Sequence, residues 1–180
     1  MKYRKLKLDE LGRKTVSEFR QSDKFPLIFV LDNIRSALNV GSMFRTADAL
    51  GIQEILLFGI SAQPPHKEIN KTAIGATASV SWKYFSDATK LIEYLQAREY
   101  VLAGVEQTKD SLMLENWKPN SSVRYALFFG NEVDGVSEEF LDYLELALEI
   151  PQFGTKHSFN VAVSAGIVGW HALLNGHLHA

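Results

Sequence analysis

The stretch PLIFVLDNIRSALNVGSMFRTADAL, residues 26–50, decides the fold class of this chain. It opens with PLIFVLDNI (26–34), a continuous apolar run with the length of a fully buried strand. The stretch therefore predicts a strand that passes into a helix, which is the repeating unit of α/β domains. The helix is indicated by apolar side chains that recur at the spacing of one helix face, namely Val40, Met43, Phe44, Ala47 and Leu50.

The same alternation continues to the end of the chain. Helices are predicted to begin at Ser86, at Ser137 and near Asn160. Because the strands are rich in Val, Ile, Leu and Phe, we predict an α/β domain with a mostly parallel sheet flanked by helices. The further strands are predicted at 54–59, 78–85, 100–106, 124–129 and 144–150.

One interior stretch interrupts this pattern. The sequence PPHKEINK (64–71) is predicted to be a loop, because its prolines disfavour helix at that point. His66, Lys67 and Lys71 make the stretch basic, which RNA contact and simple solvent exposure explain equally well.

Length and composition indicate one globular domain. The chain has 180 residues, of which 46% are hydrophobic. No apolar run reaches the roughly 18 residues of a membrane span, and the charged start MKYRKLKLDELGRK lacks the apolar stretch of a secretory signal. The absence of cysteine excludes disulfides and thiol chemistry. We therefore expect a cytoplasmic protein with no membrane partner.

Charge is distributed unevenly along the chain. Residues 1–25 carry eight Lys and Arg against four acids, a balance of +4, so the net charge of −2 leaves −6 for the remainder. We therefore distinguish a basic N-terminal extension, 1–25, from a main domain, 26–180. A local basic patch fits a nucleic-acid binder, and a solvated arm explains it about as well.

Three polar, glycine-bearing segments each follow a predicted strand. They are NVGSMFRTA (39–47), FGNEVDG (129–135) and IPQFGTKHSFNVAVSA (150–165). Loops that leave the carboxyl ends of parallel strands converge on one edge of the sheet, where such folds bind ligands. The three segments together therefore predict a binding site.

The first two segments hold side chains that allow two interpretations. Asn39 stands where the first helix is expected to begin and can cap it, and Gly41 lets another backbone approach closely. Arg45 points away from the apolar stripe, and from this segment alone a salt bridge to Asp48 is favoured over a functional role. Glu132, on the buried side of its loop, either binds a cationic or hydroxyl group or orients Arg45 or an amide of the third segment, and the remaining alternative is a solvated turn acid.

The third segment enters the last helix at Ser158, Phe159 and Asn160. Free amides at a helix start favour anions. The helix then carries small residues, among them Gly166 and Gly169. Since a helical glycine costs about 1 kcal/mol relative to alanine, this pair predicts another backbone packed close to the helix.

Several other chemistries lack support in the sequence. The chain has no GxxxxGK[ST] loop and no GxGxxG after a strand, so the usual nucleotide-binding fingerprints are absent. His171, His177 and His179 have loose metal-ligand spacing without nearby acids or cysteines. We expect these histidines to be solvated and predict no metal site.

Taken together and in this order, the three segments resemble the signature motifs of the SpoU (TrmH-like) branch of the SPOUT RNA methyltransferases. The family pattern is Asn, Gly and Arg-Thr-Ala, then Gly-x-Glu-x-x-Gly, then Ile-Pro-x-x-Gly with Ser-x-Asn-Val. The resemblance covers about residues 26–175. The matching positions are Asn39, Gly41, Arg45, Thr46, Ala47, Gly130, Glu132, Gly135, Ile150, Pro151, Gly154, Ser158, Asn160 and Val161.

This resemblance implies a fold, an assembly and a cofactor. The SPOUT fold is an α/β domain whose C-terminal segment forms a deep trefoil knot, a rare exception to unknotted topology. Members are homodimers that bind S-adenosylmethionine in a bent form through main chain of the knot loops. The family usually has Leu where this chain has Phe159. By position, the cofactor is expected at Gly104, Val105, Glu106, Gly130, Ile150 and Phe159.

The implied reaction is methyl transfer to a ribose 2′-hydroxyl of structured RNA. The resemblance makes Arg45 the catalytic residue. Because a guanidinium group is effectively always protonated, we expect Arg45 to stabilise the developing alkoxide and to clamp a phosphate rather than to act as a base. Four further residues are expected to hold Arg45 and the RNA, namely Asn39, Glu132, Ser158 and Asn160.

The expected substrate is tRNA rather than rRNA. Many relatives carry a separate N-terminal RNA-binding domain that this sequence does not include, and GVEQT (104–108) resembles relatives that methylate a guanosine of the tRNA D-loop. An rRNA methyltransferase and a non-catalytic RNA-binding protein with the same fold are the alternatives. The residues expected to contact RNA are Arg4, Lys5, Lys7, Arg35, His66 and Lys67.

Overall fold

A parallel β-sheet forms the centre of the protein, and the computed structural model describes residues 3–178. The strands are Phe25–Asp32 (β1), Ile52–Phe58 (β2), Ser81–Phe85 (β3), Tyr100–Val105 (β4), Leu112–Met113 (β5), Arg124–Phe129 (β6) and Leu146–Glu149 (β7). They lie in the order β3-β2-β1-β6-β4-β7-β5, and every neighbouring pair in this order is parallel. The predicted parallel α/β architecture is confirmed.

Helices cover both faces of this sheet. Among the described helices, none is long and apolar enough to cross a membrane. Short 3₁₀ turns lie at Leu8–Leu11 and Leu114–Asn116, and a π-helical turn, Leu174–Leu178, continues the last helix. The α-helices are Val16–Gln21 (α1), Ala37–Leu50 (α2), Lys67–Ala73 (α3), Ala76–Ser79 (α4), Ala88–Gln96 (α5), Glu138–Leu141 (α6) and Val161–Leu173 (α7).

The first strand divides the core into two layers. Successive side chains of β1 point to opposite faces, so Phe29 packs in one core with α2, α3, α4 and α7. Val30 packs in a second core with α5 and α6. Because β1 is covered on both sides, its sequence is a continuous apolar run rather than an alternating one.

Two element predictions are wrong in detail. The predicted loop 64–71 contains the start of α3, because its prolines precede the helix and the Nδ1 atom of His66 caps it by accepting a hydrogen bond from Glu68 N at 3.1 Å. The predicted strand 78–85 begins only at Ser81, since the preceding residues form the short helix α4. The two-residue strand β5 was not predicted.

The start of α2 also differs from the prediction. Ser36 rather than Asn39 caps this helix, and its hydroxyl accepts a hydrogen bond from Asn39 N at 3.3 Å. The favoured salt bridge between Arg45 and Asp48 is wrong, because the Asp48 carboxylate accepts a hydrogen bond from the Ser79 hydroxyl instead. Because Ser36 caps α2, the Asn39 side chain is available for other hydrogen bonds.

The glycines of the last helix give mixed outcomes. A Cβ atom at Gly169 would lie 2.9 Å from Phe29 Cζ and 3.0 Å from Leu50 Cδ1, so the close neighbours there are side chains and not the predicted backbone. Outside its own helix, no described atom lies within 4 Å of a Cβ at Gly166, so the predicted neighbour is absent from the described residues.

His171 is not solvated as predicted, because it is half-buried and its Nε2–H donates to Trp117 O at 2.9 Å. His179 and the His177 side chain lie outside the described residues.

Candidate active site

A pocket of about 540 Å³ lies at the carboxyl ends of β4, β6 and β7. The second and third polar segments both line it, which confirms that these loops converge on one sheet edge. Gly104 does not line the pocket, because it lies within β4 against Leu144 of the other core layer. The structure therefore places five of the six predicted cofactor residues at the pocket, namely Val105, Glu106, Gly130, Ile150 and Phe159.

Residues 130–137 form one side of this pocket, which we call the 130–137 wall. Asn131 and Gly135 exchange two backbone hydrogen bonds of 3.1 Å each. The Asn131 Oδ1 atom also accepts from Val133 N and Asp134 N at 2.9 Å. A side chain at Gly130 would clash with the Gly135 carbonyl, so only glycine fits there. These contacts fix the shape of the turn before any ligand binds.

Two carboxylates hold the far end of the 130–137 wall. The Glu106 carboxylate accepts hydrogen bonds from Val136 N at 3.0 Å and from Gln107 N at 2.9 Å. The fully buried Asp32 accepts from Ser137 N at 2.6 Å and from the Ser137 hydroxyl at 2.8 Å. Burial raises the pKa of Asp32, although its hydrogen bonds from Ser137 and Asn33 oppose that shift.

Helix α6 begins at Ser137 as predicted, but the side-chain cap that a serine at this position indicates is absent. The Ser137 hydroxyl donates to Asp32 instead. Neither Asp32 nor Asn131 was predicted to have a role in the site. An acid at the end of the otherwise apolar strand β1 was the available signal for Asp32.

A chain of side-chain hydrogen bonds joins the three polar segments. Asn160 Nδ2 donates to Asn39 Oδ1 at 3.1 Å, and Asn39 Nδ2 donates to Glu132 Oε1 at 2.7 Å. The Asn160 Oδ1 atom caps α7 by accepting from Ala162 N at 3.0 Å. Glu132 is exposed rather than on the buried side of its loop. Three of the predicted catalytic residues are thus in direct contact, and Ser158 lines the pocket beside them.

Residues 152–159 form another side of the pocket, which we call the 152–159 wall. Within the described part of the chain, these residues make no hydrogen bond or ion pair. Phe153 is 96% exposed, whereas Phe159 is 41% exposed and lines the pocket. Among the described residues, no hydrogen bond or ion pair therefore holds this wall in place.

Arg45 lies away from this pocket. It points off the core, as predicted, into a groove of about 420 Å³ between α2 and α3. Its guanidinium group forms no hydrogen bond or ion pair with any described residue. The structure therefore does not bring Arg45 together with the other predicted catalytic residues.

The residues predicted to contact RNA come from three separate parts of the chain. Arg4 is bound by Glu10 through two hydrogen bonds of 2.8 and 3.1 Å, and Arg35 lies 4.0 Å from Asp134 beside the pocket. His66 is exposed and caps α3. The remaining three, Lys5, Lys7 and Lys67, are exposed to solvent.

The fold and the pocket define an α/β protein with a ligand site at the carboxyl edge of a parallel sheet. Residues 26–170 match the model of the SpoU rRNA Methylase family. The chain belongs to this family, as the resemblance of its three segments predicted.

Named relatives include enzymes for two kinds of RNA. The 23S rRNA (guanosine-2′-O-)-methyltransferase RlmB of Neisseria meningitidis is 29% identical over 79% of this chain and 56% of its own length. The tRNA (guanosine(18)-2′-O)-methyltransferase of Borreliella burgdorferi is 28% identical over 82% of this chain and 66% of its own length. The chain therefore spans less than two thirds of the length of each of these two relatives.

A solved structure shows the same fold. The SpoU methyltransferase AviRb of Streptomyces viridochromogenes, in complex with AdoMet, superposes with a TM-score of 0.77. Its sequence is 22% identical, and the superposition covers 86% of this chain and 62% of that one. At this identity the likeness establishes the architecture alone.

Proposed function

We propose that the protein transfers the methyl group of S-adenosylmethionine to a ribose 2′-hydroxyl of RNA, with tRNA favoured over rRNA. The observation that carries this proposal is the hydrogen-bonded chain Asn160–Asn39–Glu132 beside the pocket, because it unites the three family segments at one place. The two named relatives, one acting on 23S rRNA and one on tRNA, support the reaction type.

The pocket fits S-adenosylmethionine in size and chemistry. Its volume of about 540 Å³ lies within the usual range of small-molecule sites. The missing side chain at Gly130 leaves main chain open to contact, and Val105, Ile150 and Phe159 offer apolar surface for an adenine ring. Glu106 lines the same space with a carboxylate. When bound, the cofactor would supply an electrophilic methyl group: the ribose oxygen gains the methyl as the S–CH₃ bond breaks, S-adenosylhomocysteine leaves, and the hydroxyl proton passes to water.

The polar residues then orient the RNA rather than perform covalent chemistry. The chain from Asn160 to Glu132 fixes the position of each amide and carboxylate, so the groups are oriented before the substrate arrives. Ser158 adds a hydroxyl at the pocket. Since Arg45 lies in the groove between α2 and α3 and a guanidinium group is a cation with five N–H donors, we assign it to a backbone phosphate. We therefore do not expect Arg45 to contact the reacting oxygen at the pocket of its own chain.

The knot, the dimer and the domain division belong to the same proposal. We propose that the C-terminal segment forms a trefoil knot and that two chains pair through the exposed side of α7. Val163 and Trp170 are 48% and 51% exposed on this helix, and Gly166 has open space above it. Sedimentation equilibrium tests the pairing, with Trp170→Glu expected to shift the measured mass from that of two chains to that of one chain.

We also propose that residues 1–25 add RNA contacts to the methyltransferase domain, 26–180.

Transfer of tritiated methyl groups tests the reaction. The wild-type protein, with labelled S-adenosylmethionine, is expected to label total tRNA more than rRNA. After alkaline hydrolysis the label should be found in a dinucleotide, because a 2′-O-methyl group blocks cleavage of the following phosphodiester. Nuclease mapping then identifies the nucleotide. Transfer to neither RNA would contradict the proposal.

Variants of Arg45 test its specific role. Arg45→Lys keeps the charge but loses the planar fork that binds phosphate at two points, so RNA methylation is expected to fall about tenfold or more. Arg98→Lys is the matched control, because Arg98 is exposed and lies over the Tyr94 ring on α5. Equal activity of Arg45→Lys and the wild type would show that the guanidinium has no special part.

A further inference from the structure

The groove that contains Arg45 is built by an unusually close approach of two helices. A side chain at Gly41 of α2 would clash with Thr72 Oγ1 and with the Ile69 carbonyl of α3. The Thr72 hydroxyl donates to Leu38 O of α2 at 2.8 Å. This approach sets Lys71 and Thr72 directly opposite the exposed side of α2.

The lining of this groove has a single chemical character. Apart from Ala49, each lining residue is a cation or carries a hydroxyl group, and none is acidic. Arg45 and Lys71 provide the two cations. Thr46 has a hydroxyl with no hydrogen bond to any described residue. A site with two cations, a free hydroxyl donor and no carboxylate favours a phosphate group.

Lys71 has one acidic neighbour outside the lining. Its Nζ atom lies 2.6 Å from Glu68 Oε1, one turn earlier on α3, and both side chains are substantially exposed. Exposed ion pairs of this kind contribute only about 0–1 kcal/mol. Because an ammonium group has three donors, Lys71 can bind a phosphate oxygen as well. Glu68 therefore competes weakly with an anion for Lys71.

We propose that the groove binds a phosphate of the RNA backbone and that Lys71 is its second cationic ligand beside Arg45. This inference rests on the proposed function and extends it by specifying where a backbone phosphate of the bound RNA lies outside the pocket. Asn39 and Arg45 are six residues apart on α2, a rise of about 9 Å, so the groove lies along the same helix as the pocket contacts. A polymer with its reacting ribose at the pocket has neighbouring phosphates to place there, whereas a small substrate does not.

Binding measurements with tRNA at several salt concentrations test this site. Lys71→Ala is expected to weaken RNA binding about fivefold or more and to lower the salt dependence by roughly 0.7 to 1 unit of log–log slope, the effect of one phosphate contact. Glu68→Gln removes the competitor and should tighten binding a few-fold. Lys90→Ala is the control, because Lys90 is exposed on α5, across the sheet from the groove.

A second readout separates this site from the methyl-donor pocket. The dissociation constant of S-adenosylmethionine for Lys71→Ala should equal that of the wild type, while the KM for RNA rises. If Lys71→Ala keeps the affinity and salt slope of the wild type, the phosphate site is wrong even where methyl transfer is observed. If the wild type transfers no methyl group but Lys71→Ala still weakens RNA binding, the groove stands as an RNA site and the proposed reaction fails.

Discussion

The two walls of the pocket differ in how they are held. The 130–137 wall is fixed by its own turn and by two carboxylates, of Glu106 and Asp32, from neighbouring strand ends. The 152–159 wall makes no hydrogen bond with the described chain, and Phe153 within it is almost fully exposed. One wall is therefore shaped before binding, whereas we expect the other to gain its contacts from the ligand.

This difference has a physical consequence for binding. A preorganised wall loses little conformational freedom when a ligand arrives, so its contacts contribute to affinity almost in full. A wall that becomes ordered on binding loses conformational entropy, and this loss offsets part of the free energy of its contacts. The 130–137 wall should therefore determine affinity, and the 152–159 wall should determine how the pocket opens and closes.

The largest expected effect comes from adding one methyl group to the fixed wall. Gly130→Ala would push a Cβ atom into the Gly135 carbonyl, where backbone must move to make room. We expect a loss of about 1–3 kcal/mol in stability and of roughly 100-fold in S-adenosylmethionine affinity, a free energy of about 2.7 kcal/mol. Urea unfolding and titration calorimetry measure the two effects.

The matched control lies in the other wall. A Cβ atom at Gly154 meets no described atom within 4 Å, so Gly154→Ala should leave both quantities close to those of the wild type. Similar losses for the two variants would contradict the distinction between the walls.

The next largest effect removes the buried carboxylate. Asp32→Ala leaves Ser137 N and the Ser137 hydroxyl without their acceptor, which costs about 1–3 kcal/mol in unfolding free energy. Asp134→Ala is the control, because this exposed acid of the same wall should change stability by less than about 0.5 kcal/mol. The role given to Asp32 would be wrong if the two variants unfolded at the same urea concentration.

Two substitutions at Asn160 separate the helix cap from the hydrogen-bonded chain. Asn160→Asp keeps an acceptor for Ala162 N but loses the amide that donates to Asn39. Asn160→Ala loses both and should be less stable by about 0.5–2 kcal/mol. We expect Asn160→Asp to keep near-normal stability while its methyl-transfer rate falls several-fold. A normal rate for Asn160→Asp would show that the chain has no part in the reaction.

Smaller effects are expected in the 152–159 wall. Phe159→Ala removes apolar surface from the pocket and should weaken S-adenosylmethionine about three- to tenfold, at about 0.8 kcal/mol per buried methylene equivalent. Phe159→Leu, the residue usual in the family, should bind nearly as well as the wild type. Phe153→Ala, in the same loop but outside the pocket, should not change affinity. Calorimetry on the three variants ranks them, and an equal loss for Phe153→Ala would oppose this assignment.

The smallest expected effect is a pH dependence from Asp32. Because burial raises the pKa of this carboxyl, the folded protein keeps the proton to a higher pH than the unfolded chain does. The stability of the wild type relative to Asp32→Asn should therefore be greatest below about pH 4 and fall as pH rises through the raised pKa. Urea unfolding between pH 4 and 7 measures it. If the stability of the wild type relative to Asp32→Asn instead grew with pH, the hydrogen bonds from Ser137 would lower the pKa of Asp32 by more than burial raises it.

The sequence predicted the sheet and the meeting of its loops, because strand periodicity and parallel topology place such segments together. It placed the cap of α2 wrongly, since Ser36 and Asn39 are both competent caps and only packing of Asn39 against Glu132 and Asn160 decides between them. The role of Asp32 depends on Ser137, 105 positions away, which no local pattern reveals. The groove around Arg45 was also beyond local patterns, because α3 forms its other side and the prolines of PPHKEINK predict a loop there.

Hydrogen exchange of the backbone amides, with and without S-adenosylmethionine, tests the account most directly. Amides 131, 135, 136 and 137, whose hydrogen bonds exist without ligand, should exchange slowly in both states. Amides of 152–159 should exchange fast in the free protein and slow markedly when the cofactor binds. Unchanged exchange throughout 152–159 at saturating cofactor would contradict both the location of the methyl-donor site and the proposed difference between its walls.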